Sequence, residues 1–191
     1  MEIIGVQKIT NIRHLNLFSV HYQDKKGRDK TWTFASRSHL ENPGDKPAGR
    51  PDAVVVVPFH ATERKLVIIR EFRVVLGGYQ YGFPAGLLDP EESVVQAGRR
   101  ELLEETGLRM TTVLGQSPAI FSSSGMTDES VSLLYAECEG IPSCDHTEDS
   151  EDIQVMLVSP DDARGLLAAP ETRFDVKTWI VLKMFAAHGV F

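Results

Sequence analysis

Residues 86–108 read GLLDPEESVVQAGRRELLEETGL. Three glutamates, Glu101, Glu104 and Glu105, fall within five residues of one another. On an α-helix each residue advances about 100° around the axis, which puts Glu105 about 40° past Glu101 and Glu104 about 60° short of it. The three carboxylates therefore crowd one narrow face. Like charges four residues apart cost a helix roughly 0.2–0.5 kcal/mol per pair, so this spacing implies that a cation belongs on that face. An all-oxygen ligand set suits a hard divalent ion, Mg²⁺ or Mn²⁺.

The same stretch carries helix punctuation. Asp89, Pro90 and Glu92 have the spacing of a helix start: a capping side chain, proline at the first position and glutamate three residues past the cap. Ser93 is an alternative cap one turn on. Gly107 ends the helix as a left-handed cap, with Leu108 for the accompanying apolar contact. Gly98 in mid-helix costs roughly 1 kcal/mol relative to alanine, which the close approach of another backbone would explain.

Outward from this helix the chain is mostly strand. Upstream, Ala53–Pro58 (AVVVVP) suits a strand buried on both faces, with Lys65–Ile69 as its antiparallel neighbour across the turn HATER. Arg70 and Arg73 follow at the strand end. They are candidates to grip phosphate by bidentate hydrogen bonds, and an ion pair with Glu71 is the alternative. Gly77, Gly78 and Gly82 mark the next stretch as flexible. Downstream, Met110–Leu114, Val131–Ala136 and Ile153–Val158 read as strands, and the polar loop FSSSGMTDES between the first two carries Met126, Asp128 and Glu129. Segment 138–152 gathers Glu148, Asp149, Glu151 and Asp152. Ser159 and Pro160 open a short helix, and Asp175 to about His188 reads as a C-terminal amphipathic helix. At the other end, Leu15–Tyr22 and Thr31–Ala35 read as a hairpin around QDKKGRDK. Residues 41–51, ENPGDKPAGRP, form a linker or long loop by composition. The expected division is a β-rich N-terminal subdomain, 1–47, and a main domain, 48–191. A lone hairpin is marginal in water, so the first piece must pack on the main domain or on a second copy of the chain.

Composition bounds the function. At 191 residues, with 42% hydrophobic and 25% charged residues, the chain suits a globular domain with a small appendage rather than a disordered protein. The net charge of −7 leaves no basic footprint, so nucleic acid is not an expected partner. No apolar run approaches the ~20 residues of a membrane span, and there is no signal-peptide pattern. Cys138 and Cys144, too far apart for a zinc ribbon, suit two thiols in a reducing compartment. These features imply a soluble cytoplasmic protein with no membrane partner.

Gly86, Glu92, Arg100, Glu101, Leu102, Glu104, Glu105, Gly107 and Leu108 fill every defined position of the Nudix box, and the chain resembles a Nudix hydrolase. The entry Pro84-Ala85-Gly86, the pair Arg70 and Arg73, the loop SSGMTDE, the acidic segment before the strand at 153 and the β-rich start resemble the ADP-ribose pyrophosphatase branch. The resemblance implies an α+β fold, a Nudix α/β/α sandwich with a mixed sheet. It implies Mg²⁺-dependent hydrolysis of a nucleoside diphosphate linked to another moiety, with ADP-ribose giving AMP and ribose 5-phosphate. It implies metal ligands at Glu101, Glu104, Glu105, Glu151 and the Ala85 carbonyl, with Arg100 holding the glutamates and Glu92 fastening the loop. The catalytic base would be Asp149 or Glu148. Arg70, Arg73, Met126 and Glu129 would bind substrate, and the N-terminal strands would form a homodimer. One departure bears on the substrate: Gly82 stands where many members of the branch have a glutamate that helps hold it. That keeps open a nucleotide sugar, UDP-glucose or GDP-mannose, and more remotely a Nudix-fold sensor that binds without cleaving.

Overall fold

The structure, a computed structural model, describes residues 1–38, 40, 49–145, 147 and 150–189. They divide into two compact units. The first comprises Met1–Asp52 and Pro118–Val131, the second Ala53–Ser117 and Ser132–Phe191.

In the first unit β1 (Glu2–Lys8), β2 (Asn16–Gln23) and β3 (Asp29–Ser36) form an antiparallel sheet in that order. β2 and β3 pair without a break from Asn16↔Ser36 to Gln23↔Asp29. Their turn is set by Asp24, whose carboxylate accepts the backbone N–H groups of Lys26 and Arg28, and by Gly27 at φ 70°. β1 was not apparent from the sequence pattern. It is mostly exposed and its register shifts between Ile3 and Gly5, so the two-residue alternation is broken. Phe18 is buried and stacks on Phe34 at 5.6 Å. The later segment of this unit is tied to β3: Ala35 N–H donates to the Met126 carbonyl (2.8 Å), the Trp32 indole to Gly125 (3.1 Å) and the Ser36 hydroxyl to Asp128 (2.9 Å).

In the second unit β4 (Ala53–His60) and β5 (Lys65–Arg73) are the central antiparallel pair. β6 (Gly78–Gly82) pairs with β5, and β7 (Ala85–Leu87) with β4. Helix α1 (Val94–Thr106) follows, then β8 (Arg109–Gln116), the two-residue β9 (Ile120–Phe121), which belongs to the first unit, β10 (Ser130–Glu139), which belongs to the second from Ser132 on, and β11 (Ile153–Val158). Helices α2 (Pro160–Ala168) and α3 (Val176–His188) close the chain. The strand order is β11-β5-β4-β10-β8. β4 and β10 run the same way, since Asp52 N–H meets the Ser130 carbonyl and Ala61 N–H that of Cys138. The pairings of β10 with β8, β11 with β5 and β4 with β5 are antiparallel, so the sheet is mixed.

Alternation along β4 and β5 sorts the core. Val54, Val56 and Val67 join Ala97, Leu102 and Leu134 beneath α1. A Cβ on Gly98 would overlap Leu134 Cδ2 and crowd Val56 at 3.3 Å. The mid-helix glycine is thus what lets α1 settle on the sheet. On the other side Phe59 meets Phe185 of α3 edge-on at 6.4 Å. Ser93, not Asp89, caps α1: its hydroxyl accepts from Gln96 N–H while the Gln96 side chain returns to Ser93 N–H. Ser159 with Pro160 caps α2, and Asp175 caps α3. Among the described residues no helix is long and apolar enough to cross a membrane.

Candidate active site

The caps at Ser93 and Gly107 set the ends of α1, and the packing of Val94, Ala97, Gly98 and Leu102 on the sheet sets its rotation, which turns Glu101 and Glu105 inward. They are 9% and 6% exposed. Glu104, one step round the helix, keeps 48% of its side chain in solvent. Glu105 accepts a hydrogen bond from the Ala85 backbone, which joins the helix to the strand that leads into it. Its Oε2 is buried without any hydrogen-bond partner among the described residues. Burial first, and then the charges of Glu101, Glu71 and Glu151, push its carboxyl up to about 9. Glu101 is also held above the usual carboxylate range, by burial first, with Arg100 opposing. A Cβ on Gly86 would fall inside the Glu101 carboxylate. Glycine at the head of the motif is therefore the room in which that carboxylate sits.

Arg100 gathers the motif. Its guanidinium donates to Glu92 at 2.9 and 3.1 Å, to Glu101 at 2.6 Å, to Glu104 at 3.2 Å and to the Leu87 carbonyl at 3.0 Å. Its own pKa is raised, first by Glu92, and Glu92 is held below the usual range by the same bond. One cation thus ties the loop before α1 to two of its glutamates. No three acidic, histidine or cysteine side chains among the described residues converge tightly enough to hold a metal ion as they stand.

The sheet separates the two arginines. Successive side chains on β5 alternate between faces. Val67 lies under α1, so Ile69, Glu71 and Arg73 share its side, while Arg70 and Phe72 face the other way. Arg73 binds Glu71 at 2.6 Å. Arg70 stacks over the Tyr79 ring at 3.8 Å and donates to Gln154 at 3.1 Å. Tyr79 gives its hydroxyl to Asp152, which raises the Tyr79 pKa. Ile153 pairs with Glu71 on the neighbouring strand. Two more residues of the same register bring Glu151 alongside Arg73, and the charge of Glu151 reaches both Glu101 and Glu105.

Glu101, Glu104, Glu105, Arg100, Glu151, Arg73 and Ala85 are therefore in one neighbourhood, and Arg70 is on the opposite face of the sheet. Met126 and Glu129 belong to the first unit, where Met126 is exposed and Glu129 pairs with Arg37 at 3.6 Å. Glu148 and Asp149 lie outside the described residues. By sequence alone Glu71 is only a counter-ion for the arginines. Its place among the acidic groups follows from strand alternation, once it is known which face of the sheet α1 covers.

Residues 49–180 match the NUDIX domain, and the chain belongs to the Nudix hydrolase family. It is 32% identical over 129 residues to the ADP-ribose pyrophosphatase of Bacillus subtilis, covering 67% of this chain and 68% of that one. It is 26% identical over 195 residues to the uridine diphosphate glucose pyrophosphatase of Mus musculus, covering 83% and 82%. The crystal structure of an ADP compounds hydrolase superposes with a TM-score of 0.72 at 23% identity, over 99% of this chain and 96% of that one, and shows the same fold. The chain spans 66%, 59% and 43% of the length of three other curated relatives that it matches. Nudix hydrolases generally use divalent metal ions.

Proposed function

We propose that the protein is an Mg²⁺-dependent pyrophosphatase of ADP-ribose, with Mn²⁺ as a substitute. The observation that carries this reading is the buried, unpartnered Glu105 Oε2 in a wall of carboxylates. Burying an anionic oxygen without a partner is costly, and a divalent cation is the ligand that relieves it. Glu101, Glu104, Glu105, Glu151 and the Ala85 carbonyl would hold the ion. When bound, such an ion neutralises the diphosphate and acidifies water. Arg100 keeps the glutamates in place, and Arg73 meets the diphosphate from the same face. In the reaction one water adds to a phosphorus of the anhydride, the bridging P–O bond breaks, and AMP and ribose 5-phosphate leave. The water proton passes to a base assigned to Asp149 or Glu148. Arg70, on the opposite face, ties β5 to its neighbours through Tyr79 and Gln154.

The similarity to an ADP-ribose pyrophosphatase supports the adenine nucleotide, and that to a uridine diphosphate glucose pyrophosphatase supports a nucleotide sugar as the second reading. Gly82 bears on the choice. It does not have a positive φ, and a Cβ there would find nothing nearer than Asp175 Oδ2 at 3.7 Å. Neither backbone nor packing demands glycine, so the absence of a side chain there leaves the choice between the two substrates to the assay. The test is phosphate release, through coupled phosphatase, from ADP-ribose, UDP-glucose and GDP-mannose with Mg²⁺ and then Mn²⁺. ADP-ribose should be turned over fastest. A preference for either sugar nucleotide selects the second reading, and tight ADP-ribose binding without turnover under any metal would leave a sensor.

A further inference from the structure

The alternation of β5 sets two opposite charges side by side on the glutamate face. Glu71 and Arg73 are two residues apart on one strand and joined at 2.6 Å. Arg73 keeps 51% of its side chain exposed and Glu71 only 23%. An exposed pair of this kind contributes little to stability, about 0–1 kcal/mol. Glu71 moreover adds a further carboxylate beside Glu101, Glu105 and Glu151, and its charge is one of those that act on Glu105. A fold selected for stability alone would not put it there. What Glu71 does achieve is orientation: a half-buried carboxylate two residues from the strand end holds the exposed guanidinium of Arg73 in place. The unpartnered Glu105 Oε2 marks the same face as one built to receive a ligand.

We propose that Glu71 is a positioning residue, whose carboxylate holds the Arg73 guanidinium on the sheet face of Glu101, Glu105 and Glu151 so that an arriving diphosphate meets a fixed cation. This rests on the reading of the site as one for nucleoside diphosphates. Glu71 does not touch substrate. It lowers the cost of ordering Arg73, and its contribution is made in binding rather than in the chemical step.

The experiment is a double-mutant cycle with Glu71→Gln, Arg73→Ala and both, measured two ways: ADP-ribose turnover with Mg²⁺, and the Kd of ADP with Mg²⁺ by calorimetry. Glu71→Gln keeps the size of the side chain and removes its charge. It should raise KM and the ADP Kd about tenfold, the worth of one charge-assisted hydrogen bond, and leave kcat within about threefold. The double mutant should lose no more than Arg73→Ala alone, because the two act as one unit. Glu71→Asp, which keeps the charge, should recover part of the affinity. A fall in kcat at unchanged KM, or losses that add, would overturn the proposal. If the wild type turns over none of the sugar nucleotides but still binds ADP, the pyrophosphatase reading fails and the cycle in Kd alone decides on Glu71. If it binds no ADP, both fail.

Discussion

At the scale of single residues, Glu105 makes the sharpest predictions. Unfolded, its carboxyl titrates near 4.5, and in the folded, metal-free chain it is pushed up to about 9. Folding therefore takes up a proton throughout that window. The associated stability is complete below the unfolded value and is lost as pH rises toward the folded one. Each pKa unit is worth about 1.36 kcal/mol, so even part of this shift exceeds 1 kcal/mol. Glu105→Gln cannot ionise and escapes that cost. At pH 8 without metal it should melt about 2–4 °C above wild type, the response of a chain of this size to 1 kcal/mol. Added Mg²⁺ should raise the wild-type Tm, release a proton and leave the variant unmoved, while kcat falls by at least 10²-fold. Thermal melts with and without Mg²⁺ at pH 6 and pH 8 read all of this, and a variant that Mg²⁺ still stabilises would refute the ligand role. Arg100→Ala separates holding from ligating. With the bonds to Glu92, Glu101, Glu104 and Leu87 gone, Mn²⁺ affinity should drop 10- to 100-fold, the usual effect of losing a partner behind the ligands. The spacing of 86–108 made all these residues legible, because helical geometry converts spacing directly into a shared face. Glu71 was not legible. Alternation says that Glu71 and Arg73 share a side, but only the packing of α1 says which.

At the scale of elements, α1 works because two glycines make room. At Gly98 two effects oppose each other. Alanine would improve helix propensity by about 1 kcal/mol. Its Cβ, however, would overlap Leu134 and press on Val56, and Val54, Val56 and Leu134 are all fully buried. Overpacking a filled core costs about 1–3 kcal/mol, so the clash should win. Gly98→Ala is expected to lower the denaturation midpoint at unchanged m-value, and a stabilised variant would mean that α1 does not sit as described. The central strands, the hairpin of β2 and β3 and the cap of α2 were readable because each is a local pattern. The glycine-rich run 77–82 was read as flexible, yet it forms β6. Its five residues Gly78–Gly82 pair in register with Ile69–Arg73, and a long-range partner overrides weak strand propensity. The grouping of Pro118–Val131 with the N-terminal strands was hidden for the same reason. The bonds of β3 to Gly125, Met126 and Asp128 join residues about ninety positions apart.

At the scale of the whole molecule, the first unit presents more apolar surface than a monomer needs. Ile3, Ile4, Ile9, Ile12, Leu15, Leu17 and Trp32 are all exposed, although Phe18 on the same strands is buried. Scattered exposed apolar residues are ordinary, but these, four on β1, β2 and β3 and three on the connection between β1 and β2, gather in one N-terminal segment and mark an interaction surface. A sheet of this size is also close to the lower limit of independent stability, which a partner would relieve. Assembly of two copies through residues 1–47 answers both points, and we propose that the protein is a homodimer. Light scattering behind size exclusion should give twice the chain mass of 21.2 kDa. Ile4→Glu combined with Leu17→Glu should shift the protein to monomer, since two charges buried without partners would cost far more than the contact gains. Both side chains are exposed in the single chain, so the substitutions leave its own packing intact, and circular dichroism should be unchanged. A wild type that runs as a monomer at micromolar concentration, or a double variant that remains dimeric, would move the interface elsewhere or remove it.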